Sequence, residues 1–446
     1  MNALTELIRN DMKPALGVTE PGAIAFAVST AVKHTSGSIK KIELSLNSGM
    51  YKNAFTCGIP GSPEVGNYHA AALGASGADP SKGLECLEGI TPEQAEAALK
   101  MVESGIIKVS MSGITSRIFI EAKVITDEGD AVVTITDSHT NIVKITENGK
   151  TVFGSDGANA EAETDPAGSG SRDDAAAGGK SGAGADAEET PLIHRYTLQQ
   201  LYDYASAVPV SEIGFIRKAF ELNMALLEEG LESGRTTFGP YLLAANGGSI
   251  VGKDEQKTAS LMCNGAIEAR VLGLSRPAMS ITGSGAHGII ATMPLYAAYK
   301  VSGYTEEQLL RATALSYLIC MYIKEYSGKL SAFCGCAIAA GTGMACGLAM
   351  MRGCGPEVMT HVINNMASSI TGMICDGGNQ GCAMKGVVAV DAAWQSVGMA
   401  EKGVYIYDVH GINGHTPEET MRNMGLIASP GMTGTEKTIV EILQSK

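Results

Sequence analysis

Hydrophobic positions change their period along this chain, and the change divides it. Residues 4–34 carry helical spacing with a break at Pro21, a residue suited to the first turn of the apolar run GAIAFAVSTAVKH, where helix N–H groups have no partner. Alternation in IKKIELSLNSG at 39–49 predicts a strand. Gly and Pro then mark loops until a helix restarts near His69, and another covers 92–104. The runs IIKVSMSG, SRIFIEAKVIT, DAVVTITDS and NIVKITENG are β-branched and separated by turn residues, which predicts an antiparallel meander with one face covered. Beyond Tyr196 the period is helical almost throughout, from TLQQLYDYASAV to PEVMTHVINNMASSITGMI, and PEETMRNMGLIASPGM near the end reads as packing. The fold class is therefore α+β: an N-terminal α/β domain with an antiparallel meander, followed by a mostly α-helical domain.

Composition refines this division. Between Phe153 and Tyr196 there is no aromatic residue, and Gly, Ala, Ser, Asp and Glu dominate. Such a stretch cannot bury enough apolar surface to offset the entropy of ordering it. The expected organisation is a domain over 1–153, a low-complexity insertion or linker over 154–191, and a helical domain over 192–446. The net charge of −14 on 446 residues argues against nucleic acid as a partner. An anionic small substrate remains compatible, because a few local cations override the global field. Ten cysteines without secretory spacing, behind an N-terminus lacking an apolar signal core, predict a reducing, cytoplasmic location. Residues 330–351 carry no charge and approach the roughly 20 residues of a membrane span. Ala, Gly, Thr and Cys dominate the run, so a buried helix is expected and no membrane association.

More than half of the cysteines fall between Ser327 and Lys385. Cys334 and Cys336 form a Cys-x-Cys pair before an Ala/Gly-rich helix, and Cys375 and Cys382 bracket the turn DGGNQG. Thiolates bind soft metals, and a Gly-rich backbone lets the chain wrap closely around a cluster. The pattern matches neither a zinc ribbon nor a ferredoxin run, and small buried core cysteines would have the same composition, so spacing alone leaves both readings open.

The motifs KEYSGKLSAFCGC (324–336), ITGMICDGGNQGCAMK (370–385), TGSGAHGIIATMPL (282–295) and GVTEPGAIA (17–25) carry a resemblance. The chain resembles the L-serine dehydratase alpha-chain superfamily, in its single-chain branch similar to L-cysteine desulfidases and UPF0597-type proteins. The resemblance covers nearly everything outside the inserted segment. It implies a 4Fe–4S cluster on three cysteines with one iron open to substrate; carried over, the ligands are Cys375, Cys382 and either Cys334 or Cys336, with Cys334 the better match to the family spacing. It implies a lyase, acting by β-elimination on a small L-amino acid such as serine or cysteine and giving a 2-keto acid and ammonia, in a homo-oligomer. The resemblance breaks at one position: desulfidases carry a catalytic cysteine immediately before Thr-Glu-Pro, and this chain has Val18.

Around such a centre, Thr282-Gly283-Ser284-Gly285 precedes an apolar helix and could bind a carboxylate through exposed N–H groups, or could serve tight helix packing. Arg270, Lys324, Lys329 and Lys385 are candidate carboxylate partners, and Lys52, Asn53 and His69 could face a ligand. Lys385, His69 and His287 are the candidate bases. Two other readings share these residues. A pyridoxal-phosphate enzyme would use a Schiff-base lysine, and an iron–sulfur redox sensor or carrier would need no substrate pocket.

Overall fold

The computed structural model describes residues 2–154, 190–328 and 330–446. The expected insertion therefore lies, from 155 to 189, outside the described residues, as does Lys329. The N-terminal part runs α1 (Ala3–Asp11), β1 (Lys13–Ala15), α2 (Thr19–Lys33), β2 (Ile39–Asn47), α3 (Ser48–Asn53), α4 (Gly66–Ser76) and α5 (Pro92–Glu103). Five strands follow: β3 (Ile107–Gly113), β4 (Phe119–Thr126), β5 (Asp130–Thr136), β6 (Ile142–Glu147) and β7 (Lys150–Gly154). The helical part comprises α6 (Leu198–Ala207), α7 (Val210–Ile213), α8 (Arg217–Glu232), α9 (Phe238–Ala245), α10 (Glu255–Val271), the short strand β8 (Ala278–Ser280), α11 (Gly285–Ser302) and α12 (Glu306–Ser327). It ends with α13 (Gly341–Met351), α14 (Pro356–Ile370), α15 (Gly381–Ala400), α16 (Pro417–Leu426) and α17 (Thr433–Gln444). The fold is mixed α+β, as its periodicity predicts.

The six-stranded sheet has the order β3-β2-β4-β5-β6-β7. Its last four strands form an antiparallel meander, in which three of the predicted runs, β4, β5 and β6, are joined by β7. β3 does not join that meander: it lies on the other side of β2, parallel to it, with Ile42 opposite Ile107. A parallel neighbour needs a crossover, and α3, α4 and α5 supply one. Periodicity identifies each strand but carries no information on whether the intervening helices return it to the same or the opposite direction.

The covered face of the sheet packs on α2, whose residues Thr19–Ala31 are buried around nearly the whole helix. A helix apolar on all sides belongs in the interior. The break before it falls at residues 12–18, where β1 intervenes, and Pro21 sits within the first turn of α2. In the helical part, α10 is buried from Thr258 to Val271 and packs against α8, α9, α11 and α15. α12 opens on a capping box, Thr305 with Gln308, and is buried along most of its length. One hydrophobic core extends from Leu4 to Ala428.

Two connections matter for the site. β1 pairs antiparallel with β8, Lys13 opposite Ser280, which brings the start of α2 beside the turn that precedes α11. The uncharged 330–351 run enters as irregular chain and makes a π-helical turn over Cys336–Ala340 before α13. Among the described residues no helix is long and apolar enough to cross a membrane.

Candidate active site

Two backbone hydrogen bonds set the geometry of the cysteine segments. Cys334 N–H donates to the Met373 carbonyl at 3.0 Å and Cys375 N–H to the Ala332 carbonyl at 2.6 Å, so the segments meet in a short antiparallel bridge, Phe333 opposite Ile374. The DGGNQG turn then folds back and returns Cys382 at the start of α15. Gly377 has φ +109, and a Cβ built there would lie 2.5 Å from the Lys52 carbonyl oxygen; at Gly378 one would meet Asn53, Val18 and Cys57. Only a chain without side chains can pass this close to α3.

The charge of Cys334 is felt by both Cys375 and Cys382, and that of Cys375 by Cys382. Burial raises Cys375 and pushes Cys382 up to about 12, while the hydrogen bond with Cys336 and then burial raise Cys334. These are the directions expected for crowded thiols in a low-dielectric site. Cys336 stands between two neighbourhoods: it is hydrogen-bonded to Cys334 and lines the pocket with Cys375, and its charge is also felt by Cys263 and Cys320. Two cations lie against the group. Lys385 is ion-paired with Asp376; burial pulls its ammonium down, but the Asp376 hydrogen bond and the thiols of Cys334 and Cys382 outweigh that and raise it. Lys52 is fully buried and donates to the carbonyls of Ser331 (3.0 Å) and Cys375 (2.9 Å) and to Glu436 Oε2 (2.7 Å), which joins both cysteine segments to α17.

A pocket of about 520 Å³ opens beside the thiols. Cys336 and Cys375 form part of its floor, the start of α2 contributes Thr19 and Glu20, and the β5–β6 turn contributes Ser138, His139 and Thr140. Thr282, Gly283, Ser284 and His287 line another wall, with Lys324 beside them. The wall turn is less open to an anion than its sequence implies. Thr282 N–H already donates to Asp11 Oδ2 (2.5 Å) and Ser284 N–H to the Ile281 carbonyl (3.0 Å). Gly285 and Gly288 serve packing: a Cβ at Gly288 would lie 1.9 Å from the Met279 carbonyl oxygen, and one at Gly285 2.5 Å from Arg270 Nε.

The predicted site residues thus separate. Cys334, Cys375, Cys382 and Lys385 come together, and Thr282, Gly283, Ser284 and His287 face the adjoining pocket. Arg270 lies beneath Gly285, buried, and its Nε makes no hydrogen bond among the described residues. His287 is buried and bonded through Nδ1 to the Thr282 hydroxyl; burial first, then the charges of Lys324 and Arg270, push it down to about 3. His69 is outside the pocket lining, on α4, with Nδ1 donating to the Val65 carbonyl at 3.0 Å. Lys52 meets backbone and Glu436, whereas Asn53 reaches the pocket. Sequence reasoning passes over His139 and Glu20. His139 stands in the run DSHTN, which reads as an ordinary turn, and Glu20 reads as a helix-start carboxylate; nothing along the chain signals that they meet.

Fold and site together define an α+β protein in which a thiol-lined centre adjoins a polar pocket. The chain belongs to the serine dehydratase alpha chain family, whose profile matches residues 81–441. It is similar to a UPF0597 protein of Clostridium botulinum (strain Langeland), 38% identical over 99% of this chain and 98% of the relative. UPF0597 proteins of Oleidesulfovibrio alaskensis and Methanocella arvoryzae are 34% and 31% identical, each over 99% of this chain and 97% of the relative.

Proposed function

We propose that this protein is an iron–sulfur-dependent lyase that eliminates the β-substituent of a small L-amino acid, such as serine or cysteine, to give a 2-keto acid and ammonia. The observation that carries the reading is the convergence of Cys334, Cys375 and Cys382 beside a pocket with room for a small amino acid. The donor set fits a 4Fe–4S cluster. Three thiols meet with two lysines that would offset their negative charge, and the glycines of the 376–381 turn let the chain that carries Cys375 and Cys382 pass close against α3. Among the described residues no three His, Cys, Asp or Glu groups are spaced for a single metal ion; a four-iron cluster holds its thiolates farther apart. Cys334 is the first ligand in this reading, because its charge is felt by both Cys375 and Cys382 and its N–H donates to the Met373 carbonyl beside Cys375.

When bound, the cluster would supply Lewis acidity toward the departing hydroxyl or thiol. The chain's own residues do the rest. Lys324 gives the pocket positive charge for the substrate carboxylate, and Arg270 adds to it from below. His287, held neutral and fixed by Thr282, can share a hydrogen bond without adding charge. Buried residues on α2, α12 and the 330–336 segment form the inner walls of the pocket.

Anaerobic purification tests this directly. Roughly four irons per chain are expected, with pyruvate and ammonia formed from L-serine and loss of both iron and turnover in Cys375→Ala and Cys382→Ala. Full iron occupancy in both variants would refute the ligand set.

A further inference from the structure

We propose that His139, oriented by Glu20, is the base that takes the substrate's α-proton. The assignment rests on the elimination reading above and adds to it the group that begins the reaction.

Four observations converge on this histidine. The first is placement: His139 lines the pocket together with Cys336, Cys375, Glu20 and Asn53, so it faces the same space as the thiol centre. The second is burial. Asp137, Ser138 and Thr140 are exposed, whereas the His139 side chain is only 13% exposed, so the turn projects this one side chain inward. The third is that the turn is built to hold it. Asp137 adopts φ 67 and is gripped by both Arg117 Nε (2.6 Å) and Nη2 (3.1 Å), and Asn141 Nδ2 donates to the Thr136 carbonyl at 3.1 Å.

The fourth is a carboxylate behind the ring. His139 Nε2 lies 4.0 Å from Glu20 Oε1, within ion-pair reach but beyond a hydrogen bond, and Asn53 Nδ2 donates to that same oxygen at 2.9 Å. Asn53 Oδ1 lies 3.9 Å from Cys375 Sγ. Glu20 is thereby fixed between the imidazole and the thiol centre, at the buried start of α2. A carboxylate so placed stabilises the imidazolium formed on proton uptake. The other candidates are less suited. Lys385 is held in an ion pair with Asp376, His287 faces the charges of Lys324 and Arg270, which disfavour a third cation, and His69 lies outside the pocket.

The step balances without any further reactant. The substrate Cα–H bond breaks and its proton passes to the imidazole. The electron pair forms the Cα=Cβ bond while the Cβ–O or Cβ–S bond breaks, its pair leaving with hydroxide or hydrosulfide. The aminoacrylate tautomerises and takes up water to give keto acid and ammonia, and the imidazolium returns its proton to the departing base. Glu20 and Asn53 are positioning residues in this scheme.

The test uses anaerobically prepared full-length chain. His139→Asn and His139→Gln should keep wild-type iron content and lose turnover of L-serine by about 100-fold or more, the usual contribution of a general base. KM should stay within about 3-fold, since uniform binding is unchanged. Glu20→Gln should lose about 10-fold. Added imidazole should restore part of the rate to His139→Gly and none to Glu20→Gln, a rescue that a structural role would not show. A readout independent of turnover is carbethoxylation of His139 by diethyl pyrocarbonate, followed by peptide mass, which L-serine should slow. Near-wild-type rates in both His139 variants, loss of iron along with the rate, or no protection by L-serine would each overturn the assignment. Iron-loaded wild-type protein inert toward L-serine, L-cysteine and L-threonine would instead overturn the elimination reading itself, so the two failures are told apart.

Discussion

Val18 stands immediately before Thr-Glu-Pro, where the resemblance to desulfidases implies a catalytic cysteine, and it is buried at the start of α2 against Gly378 of the Cys375–Cys382 turn. A thiol there would lie beside the thiol centre, whereas valine can neither move a proton nor bind iron. The wild-type chain is therefore expected to release sulfide from L-cysteine slowly compared with keto-acid formation from L-serine, and Val18→Cys to gain sulfide release; anaerobic assays of both amino acids measure this. Fast sulfide release by the unmodified chain would contradict it. The Cys-x-Cys pair offers a second comparison at this scale. Cys334→Ala should lose iron and turnover, and Cys336→Ala should keep most of its iron, because only Cys334 is sensed by both Cys375 and Cys382. Iron analysis of the two proteins decides between them.

At the scale of elements, α17 is tied to α3 by the Lys52–Glu436 pair, with side chains 0% and 7% exposed. Breaking a buried pair from one side leaves an uncompensated charge, typically at a cost of about 3–5 kcal/mol. Lys52→Met should lower stability to urea by about that amount, and should weaken iron retention, since the same ammonium holds the carbonyls of Ser331 and Cys375. Adding Glu436→Leu should recover part of the stability without restoring those two carbonyl contacts. A Lys52→Met protein as stable as wild type would show that the pair contributes nothing. The helices themselves are legible from local signals, as with the capping box that starts α12 and the Pro-led start of α16. What α17 docks on is not legible, because Lys52 and Glu436 are separated by most of the chain.

For the molecule as a whole, His287 imposes a pH dependence. Its folded pKa, about 3, lies below the ordinary 6.5, so between those values the unfolded chain binds the extra proton. Stability is then complete above pH 6.5 and falls as pH drops toward 3, by about 1.4 kcal/mol per unit in the steep region. Urea melts at pH 7 and pH 4.5 should show a smaller loss for His287→Asn than for wild type, by about 2–3 kcal/mol; equal losses would refute the assignment. The sequence by itself determined the α+β class, the helical second part, the membership of Cys375, Cys382 and one of Cys334 and Cys336 in one motif set, and a turn between Cys375 and Cys382 free of bulky side chains. These are local properties of period, caps and backbone freedom, or carry a resemblance in short contiguous motifs. Only the tertiary structure decided that β3 lies parallel to β2, that Lys52 is a buried strut, that His69 lies outside the pocket, and that His139 meets Glu20. Each depends on residues brought together across at least one crossover, and the hydrophobic pattern that drives such burial does not specify which polar groups it places side by side.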